Sequence, residues 1–394
     1  MKRYYLITLG ICLLVLLAGS FAYGIWDRAP ILDKLKVGFI YENDESTPYT
    51  YNFFLAEQAL RREYGERVEI ISRSNVREAE TEEPLRELVD RGCQLIFINS
   101  YSEQVEKVAA ECPKVQFCQV SFLPSPSSNT PENYHTFKGK AYQCRYVSGI
   151  VAGMKLREMI DQGVIQPSEA VVGYVGAYGT EEVISGFTAF LLGVRSVVPE
   201  ATMRVRYTGT WSSYALEKAC AAALIDEGCV MISQHTDTIG PAMACEETAK
   251  KVYHVGYNQS ILDAVPDASL ISARINWTPY ITGAVGALLS SKPIEKYVDA
   301  AANGRDMSAG FEKNWVEMLE LNKPIAAEGT QARIDQAIEA FRKNQIEVFK
   351  GNYTGVNPHN PADTIDLSQG YVENQNSSSP SFHYILKDII TVDN

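Results

Sequence analysis

The chain has 394 residues, 46% hydrophobic and 21% charged, which excludes a mainly disordered or low-complexity polymer and exceeds what one core usually spans. With 48 acidic against 36 basic residues, the formal charge of −12 repels phosphate backbones and excludes non-specific nucleic-acid binding. Five histidines leave little for a histidine-rich metal centre, and neither a metal site nor a cofactor is expected.

Met1-Lys2-Arg3 precedes a charge-free stretch from Tyr4 to Trp26 whose centre, Leu6 to Ala18, is almost unbroken apolar sequence. A basic start, an apolar centre and small residues at Ser20 and Ala22 read as an export signal cleaved after Ala22. The competing reading is an uncleaved anchor, since 23 uncharged residues can cross a bilayer with some tilt. Lys2 and Arg3 would then stay in the cytoplasm. Residues 1–26 are assigned to a signal or an anchor, and either places the body outside the cytoplasm. Cys12 follows Ile11, not the small residue that a lipoprotein anchor needs. Cys93, Cys112, Cys118, Cys144, Cys220, Cys229 and Cys245 cannot all pair, and no CxxC spacing exists. Neither a disulfide framework nor a zinc knuckle is indicated, with a Cys112–Cys118 bridge left open.

From Lys36 short β-branched runs alternate with amphipathic stretches. Strands are expected at 36–41, 68–72, 94–99 and 115–120, with helices at 50–64, 80–91 and 102–110. The run 94–99 is apolar throughout and reads as a central parallel strand. A Pro- and Ser-rich loop from Leu123 to Pro131 breaks the rhythm, Tyr134–Phe137 reads as an edge strand, and Tyr142–Ile160 as a helix. Ser148, Gly149, Ala152 and Gly153 permit that helix a close approach to a neighbour. The rhythm then restarts with strands at 170–177, 203–210, 229–234 and 252–257 and helices at 181–197, 213–227 and 239–251. A strand and helix cover 269–292, and a last amphipathic helix covers 331–350. Strands and helices in alternation mean doubly wound α/β sheets. The expected fold is two doubly wound α/β lobes joined by a hinge: 33–160, completed by about 270–300, and 165–265, completed by about 305–350. Residues 351–394 form a polar C-terminal extension whose apolar end, 385–392, favours docking over a flexible spacer.

Open α/β sheets bind ligands outside the carboxyl ends of their strands, at the switch point of strand order. Those ends carry Glu42, Asn43, Tyr49, Thr50 and Tyr101 in the first lobe. In the second they carry Tyr178, Trp211, His235, Asp237, Tyr257 and Asn258, with Asn276-Trp277 near the crossover. Flat Trp and Tyr faces stack on ring ligands, while Asn and Asp orient them by hydrogen bonds. No GxSxG, HExxH, Walker A or GxGxxG pattern occurs, and no catalytic residue is expected. His235 and Asp237 lack a nucleophile placed beside them, so ligand or turn hydrogen bonding is the better reading. Glu181-Glu182 reads as a complement to a helix dipole, ahead of ligand contact.

The run YQCRYVSGIVAGMKL (Tyr142–Leu156) resembles the "YQARYLAGIVAG" helix of the basic membrane protein family of substrate-binding proteins. Gly173–Val205, Thr208–Thr238, HVGYN (His254–Asn258) and INWTPY (Ile275–Tyr280) continue the resemblance in order, from about Lys36 to Lys350. It implies a type I periplasmic-binding-protein fold, a purine base or nucleoside as ligand, and permease and ATPase components of an ABC importer as partners. By position, Trp211 and Trp277 would sandwich a base, Asp237 and Asn258 would meet its polar edge, and Thr50 would follow the first strand's loop. That loop lacks the glycines and tryptophan common in the family, with Tyr49 as a candidate replacement, and Tyr101 and Tyr178 complete the expected site. Gln259 stands where an aspartate is common, which tilts the reading toward a free base. A membrane-anchored sensor of the same fold is the alternative, motivated by the possible anchor and the extended tail.

Overall fold

The architecture comes from a computed structural model that describes residues 33–122, 130–375 and 377–393. The leader and most of the loop at 123–131 lie outside these residues. The first lobe begins with β1 (Leu35–Ile40), α1 (Pro48–Tyr64), β2 (Val68–Arg73), α2 (Glu82–Asp90), β3 (Leu95–Ile98), α3 (Gln104–Glu111), β4 (Gln116–Val120) and β5 (Tyr134–Gly139). Then α4 (Ala141–Asp161) leads to β6 (Val171–Gly176), α5 (Glu181–Arg195), β7 (Thr202–Tyr207), α6 (Tyr214–Asp226), β8 (Met231–His235), α7 (Gly240–Glu247), β9 (Tyr253–Tyr257) and β10 (Ser269–Ile275). The chain continues through α8 (Thr278–Leu289), α9 (Ile294–Val298), β11 (Ala301–Asn303), β12 (Asp306–Ala309), β13 (Val316–Met318) and α10 (Thr330–Arg342). It ends with β14 (Thr354–Asn357), β15 (Asn360–Asp366), β16 (Ile385–Leu386) and β17 (Ile390–Asp393).

One sheet has the order β11-β12-β5-β4-β3-β1-β2 and the other β13-β10-β9-β8-β6-β7-β17. Within these two sheets all pairings are parallel except β11 with β12 and β13 with β10, and β15-β14-β16 form a small antiparallel third sheet. Strand order reverses between β1 and β3 and between β6 and β8, so each sheet offers its switch point to a shared cleft. Buried apolar residues of β1, β3 and β6 anchor the core, as strands covered on both faces require.

The close helix approach read from small residues is present between α4 and α5. A Cβ on Gly149 would come 1.9 Å from the Phe190 carbonyl oxygen, and one on Gly193 2.0 Å from that of Tyr146. Only glycine admits that contact, which presses the crossover helix onto the second lobe.

Several expectations change. Tyr134–Phe137 is not an edge strand: β5 lies between β4 and β12, and all six of its residues are buried. Its outer neighbour arrives 170 residues later in sequence, pairing Asp306 with Thr136, so local sequence held no sign of it. The boundary at 270–300 also divides differently. β10 belongs to the second sheet, while β11 and β12, at 301–309, extend the first. The helix expected through Lys350 stops at Arg342, because Asn344 turns left-handed (φ 53°). The Asn344 and Gln345 amides then bond back to the Phe341 and Ala340 carbonyls, a helix-ending pattern that also leaves Val348 and Phe349 free to enter the core. The helix at 239–251 likewise ends early, at Glu247. All seven body cysteines are free, so the Cys112–Cys118 option is not taken.

The tail docks. β17 pairs in parallel with β7, and Phe382 stacks on Phe349 at 4.3 Å. Between these anchors Glu373 accepts from Ser185 Oγ of α5 at 2.7 Å. Asp306 of β12 accepts from Ser377 Oγ at 3.1 Å and the Ser378 amide at 2.8 Å. The tail therefore holds elements attached to both sheets.

Candidate functional site

Between the carboxyl ends of the two sheets lies a cavity of about 260 Å³, a little under the ~300–1,000 Å³ range of drug-sized sites. The first lobe lines it with Glu42, Asn43, Tyr49, Glu78, Ser100, Tyr101, Phe122 and Lys138. The second adds Glu182, Trp211, His235, Asp237, Tyr257, Asn258 and Ile275.

Five expected residues meet here: Tyr49, Tyr101, Trp211, Asp237 and Asn258. Tyr49 is held by donating its hydroxyl to the Asn99 carbonyl at 2.6 Å. Trp211 stands edge-on to Tyr178 at 5.6 Å and to His235 at 6.3 Å, and its carbonyl accepts from the Asp237 amide at 2.9 Å. Asn258 follows β9 with φ 67°, a left-handed geometry that asparagine tolerates. Its Nδ2 donates to Asp237 Oδ1 at 3.4 Å. Burial, reinforced by the Glu217 carboxylate, pushes the Asp237 carboxyl up to about 7.

Three expected residues are elsewhere. Trp277 starts α8 with its ring turned inward, 2% exposed, stacked on Phe53 at 4.5 Å and edge-on to Tyr49 at 6.0 Å. It supports the Tyr49 wall from behind and does not line the cavity. Thr50 is fully buried, and its Oγ1 accepts from Asn99 Nδ2 at 3.3 Å. Asn99 Oδ1 in turn accepts from the Glu42 amide at 2.8 Å, so Thr50 braces the loop that carries Glu42. Tyr178 is 39% exposed and stands beside Trp211 without lining the cavity. Gln259 is exposed and outside the cavity wall.

An ion pair across the cleft was missed. Lys138 at the end of β5 bonds Glu182 at the start of α5, and His235 Nε2 lies 3.5 Å from the same carboxylate. Lys138 also sits 4.2 Å over the Phe122 ring. Burial alone would raise the Glu182 carboxyl, but Lys138 and His235 outweigh it and hold it down at about 2. Burial, with Arg145 adding to it, lowers His235 to about 4. Glu182 thus does more than complement a dipole, and Lys138 lies in a wholly buried strand, where a lysine demands a partner. Behind the wall, Arg145 lies 3.5 Å over the Tyr257 ring and donates to the Gln234 carbonyl at 2.8 Å.

A family profile described as "ABC transporter substrate-binding protein PnrA-like" matches residues 35–348. The chain belongs to this family. Its members are substrate-binding proteins of ABC transporters and not enzymes; they work outside the cytoplasm, bind small molecules and serve permease and ATPase components. Among curated proteins, a purine-binding protein of Brucella abortus is 29% identical over 311 residues, covering 77% of this chain and 81% of that one. A putative ABC transporter glucose-binding protein of Haloferax volcanii is 28% identical over 252 residues, covering 64% and 57%. A solute-binding protein of an ABC transporter system from Conexibacter woesei superposes with a TM-score of 0.61 at 18% identity, covering 79% of this chain and 97% of that one. That likeness establishes the periplasmic-binding-protein fold. Among the described residues no helix is long and apolar enough to cross a membrane.

Proposed function

We propose that this family member captures a purine base or nucleoside between its lobes for delivery to the importer. The observation that carries the reading is the juxtaposition of the Trp211 side chain with the Asp237–Asn258 pair in the lining of one small cavity. A planar ring fits against the first and its polar rim against the second. The purine-binding relative, matched over most of its length, supports the same ligand class. Tyr49 and Tyr101 face the ligand from the first lobe.

Capture works by closure of the two lobes, 33–160 and 165–265 with their later crossings, driven by contacts made only when closed. The Lys138–Glu182 pair joins the lobes, as does Asn52 Nδ2 donating to the Asn258 carbonyl at 3.1 Å. Residues 1–26 direct export as a cleaved signal or a retained anchor, which N-terminal sequencing of the exported protein distinguishes. With β17 built into the second sheet, the tail no longer argues for a separate sensor function.

Mass spectrometry of the small molecule released on gentle denaturation, followed by calorimetry with purines and with glucose, tests the proposal. A released or tightly bound purine supports it. Binding of glucose without any purine overturns it.

A further inference from the structure

The charges of the cleft do not balance. Four carboxylates line it, those of Glu42, Glu78, Glu182 and Asp237, against the single amine of Lys138. That amine is already bonded to Glu182. With Asp237 set aside, because its carboxyl is pushed up to about 7, Glu42 and Glu78 remain without a counter-charge among the described residues.

Glu42 and Glu78 come from separate loops of the first lobe and face the same space. Neither has a cationic partner among the described residues. Burial and the neighbouring Glu78 both raise the Glu42 carboxyl, as expected of acids that lack a counter-charge. A second observation points to the same space: Ser100 lines it at 2% exposure with a hydroxyl that has no hydrogen-bond partner. Buried polar groups are seldom left so unless something completes them.

The walls between these groups are aromatic. Trp211, Tyr49, Tyr101 and Phe122 line the cavity, and the position of Lys138 over Phe122 shows a ring of this wall already receiving a cation. The partly buried Glu42 carboxylate gives up water and calls for an opposite charge, the exposed Glu78 adds to the negative field at the cleft mouth, and aromatic faces attract the same species. A phosphate would meet repulsion, and among the described residues that line the cleft the one cation, Lys138, is already bonded to Glu182.

We propose that the unpaired carboxylates of Glu42 and Glu78, with the aromatic wall, make this cleft select positively charged ring ligands over neutral ones and reject phosphorylated ones. The inference rests on the purine reading and narrows it to purines that carry a positive charge on the ring.

Calorimetry on the exported protein tests it with matched probes. These are guanosine against 7-methylguanosine, adenosine against 1-methyladenosine, and guanosine 5′-monophosphate. The two methylated nucleosides carry their charge and methyl group at different places on the ring, so a steric misfit of one does not decide the result. At least one charged member should bind about ten-fold or more tighter than its neutral parent, and the monophosphate about 100-fold or more weaker than guanosine. The double variant Glu42→Gln, Glu78→Gln should reduce the charged-to-neutral ratio to within about two-fold. Equal affinity for charged and neutral members, a preference that survives in the double variant, or tight binding of the monophosphate overturns the charge inference alone. Failure of all five probes, and of adenine and guanine, to bind overturns it together with the purine reading.

Discussion

The two walls of the cleft are built differently. On the second lobe, Asp237 is tied to the Trp211 backbone and to Asn258, and His235 approaches Glu182. On the first lobe, Tyr49 is fixed through Asn99, while Glu42, Glu78 and the Ser100 hydroxyl have no side-chain partner among the described residues. The second-lobe wall is braced by these contacts, with His235 Nδ1 left unpartnered, and the first-lobe wall keeps carboxylates without a counter-charge. The tryptophans repeat the contrast, with Trp211 on the cavity wall and Trp277 in the core behind Tyr49. Shared motif status does not give residues a shared role.

The largest expected effect breaks the contrast between tryptophans. Trp277→Ala should cost about 3–5 kcal/mol of stability, as large-to-small core changes do, read as a lower urea midpoint. A midpoint within error of wild type would remove Trp277 from the core. Lys138→Met should cost a comparable ~3–5 kcal/mol by leaving Glu182 buried and unpaired. Adding Glu182→Leu should recover much of that loss, and a double variant no better than the single would count against the pair. Trp211→Ala should weaken purine binding by about 1–3 kcal/mol, the worth of stacking on a base, with little change in the unfolding midpoint. A stability loss like that of Trp277→Ala would erase the difference between the two sites.

The smaller effects sharpen the second-lobe wall. Asp237 has a folded value of about 7 against an ordinary 3.8, so from about pH 4 to 7 the unfolded chain holds fewer protons. The stability it contributes is full below the unfolded value and is lost as pH rises through the folded one. His235 at about 4 and Glu182 at about 2 act in the opposite sense, losing stability on acidification. The variant Asp237→Asn isolates the term: relative to wild type its stability should improve from pH 4 to 7 and level off above. A difference that stays constant with pH would sink this assignment. Smallest is Thr50→Val, which should cost about 1 kcal/mol for the lost bond from Asn99, measured in the same urea series.

Much of the second-lobe site was legible in sequence because each residue follows a strand by one to four positions, where the sheet's polarity aims it at the cleft. Trp211, Asp237 and Asn258 were found that way. The same rule misplaced Trp277, because at the start of α8 it was free to turn toward Phe53. It missed Glu182 as a cavity residue because its partner, Lys138, stands 44 positions away on the other lobe. Sequence likewise misread β5 as an edge, since the strand that covers it, β12, comes 170 residues later, after β6 to β10 of the second sheet.

Taken alone, the sequence determined the alternation of strands and helices, the two-lobed class, the family and the aromatic, hydrogen-bonding character of the strand ends. These follow from periodicity and local chemistry, which short windows contain. Tertiary structure decided which tryptophan meets the cavity, which carboxylates find partners, where each crossing joins its sheet and that the tail becomes a strand beside β7. Each depends on residues far apart in the chain meeting across a lobe or a cleft, and burial and charge pairing at such contacts are set by the packed whole.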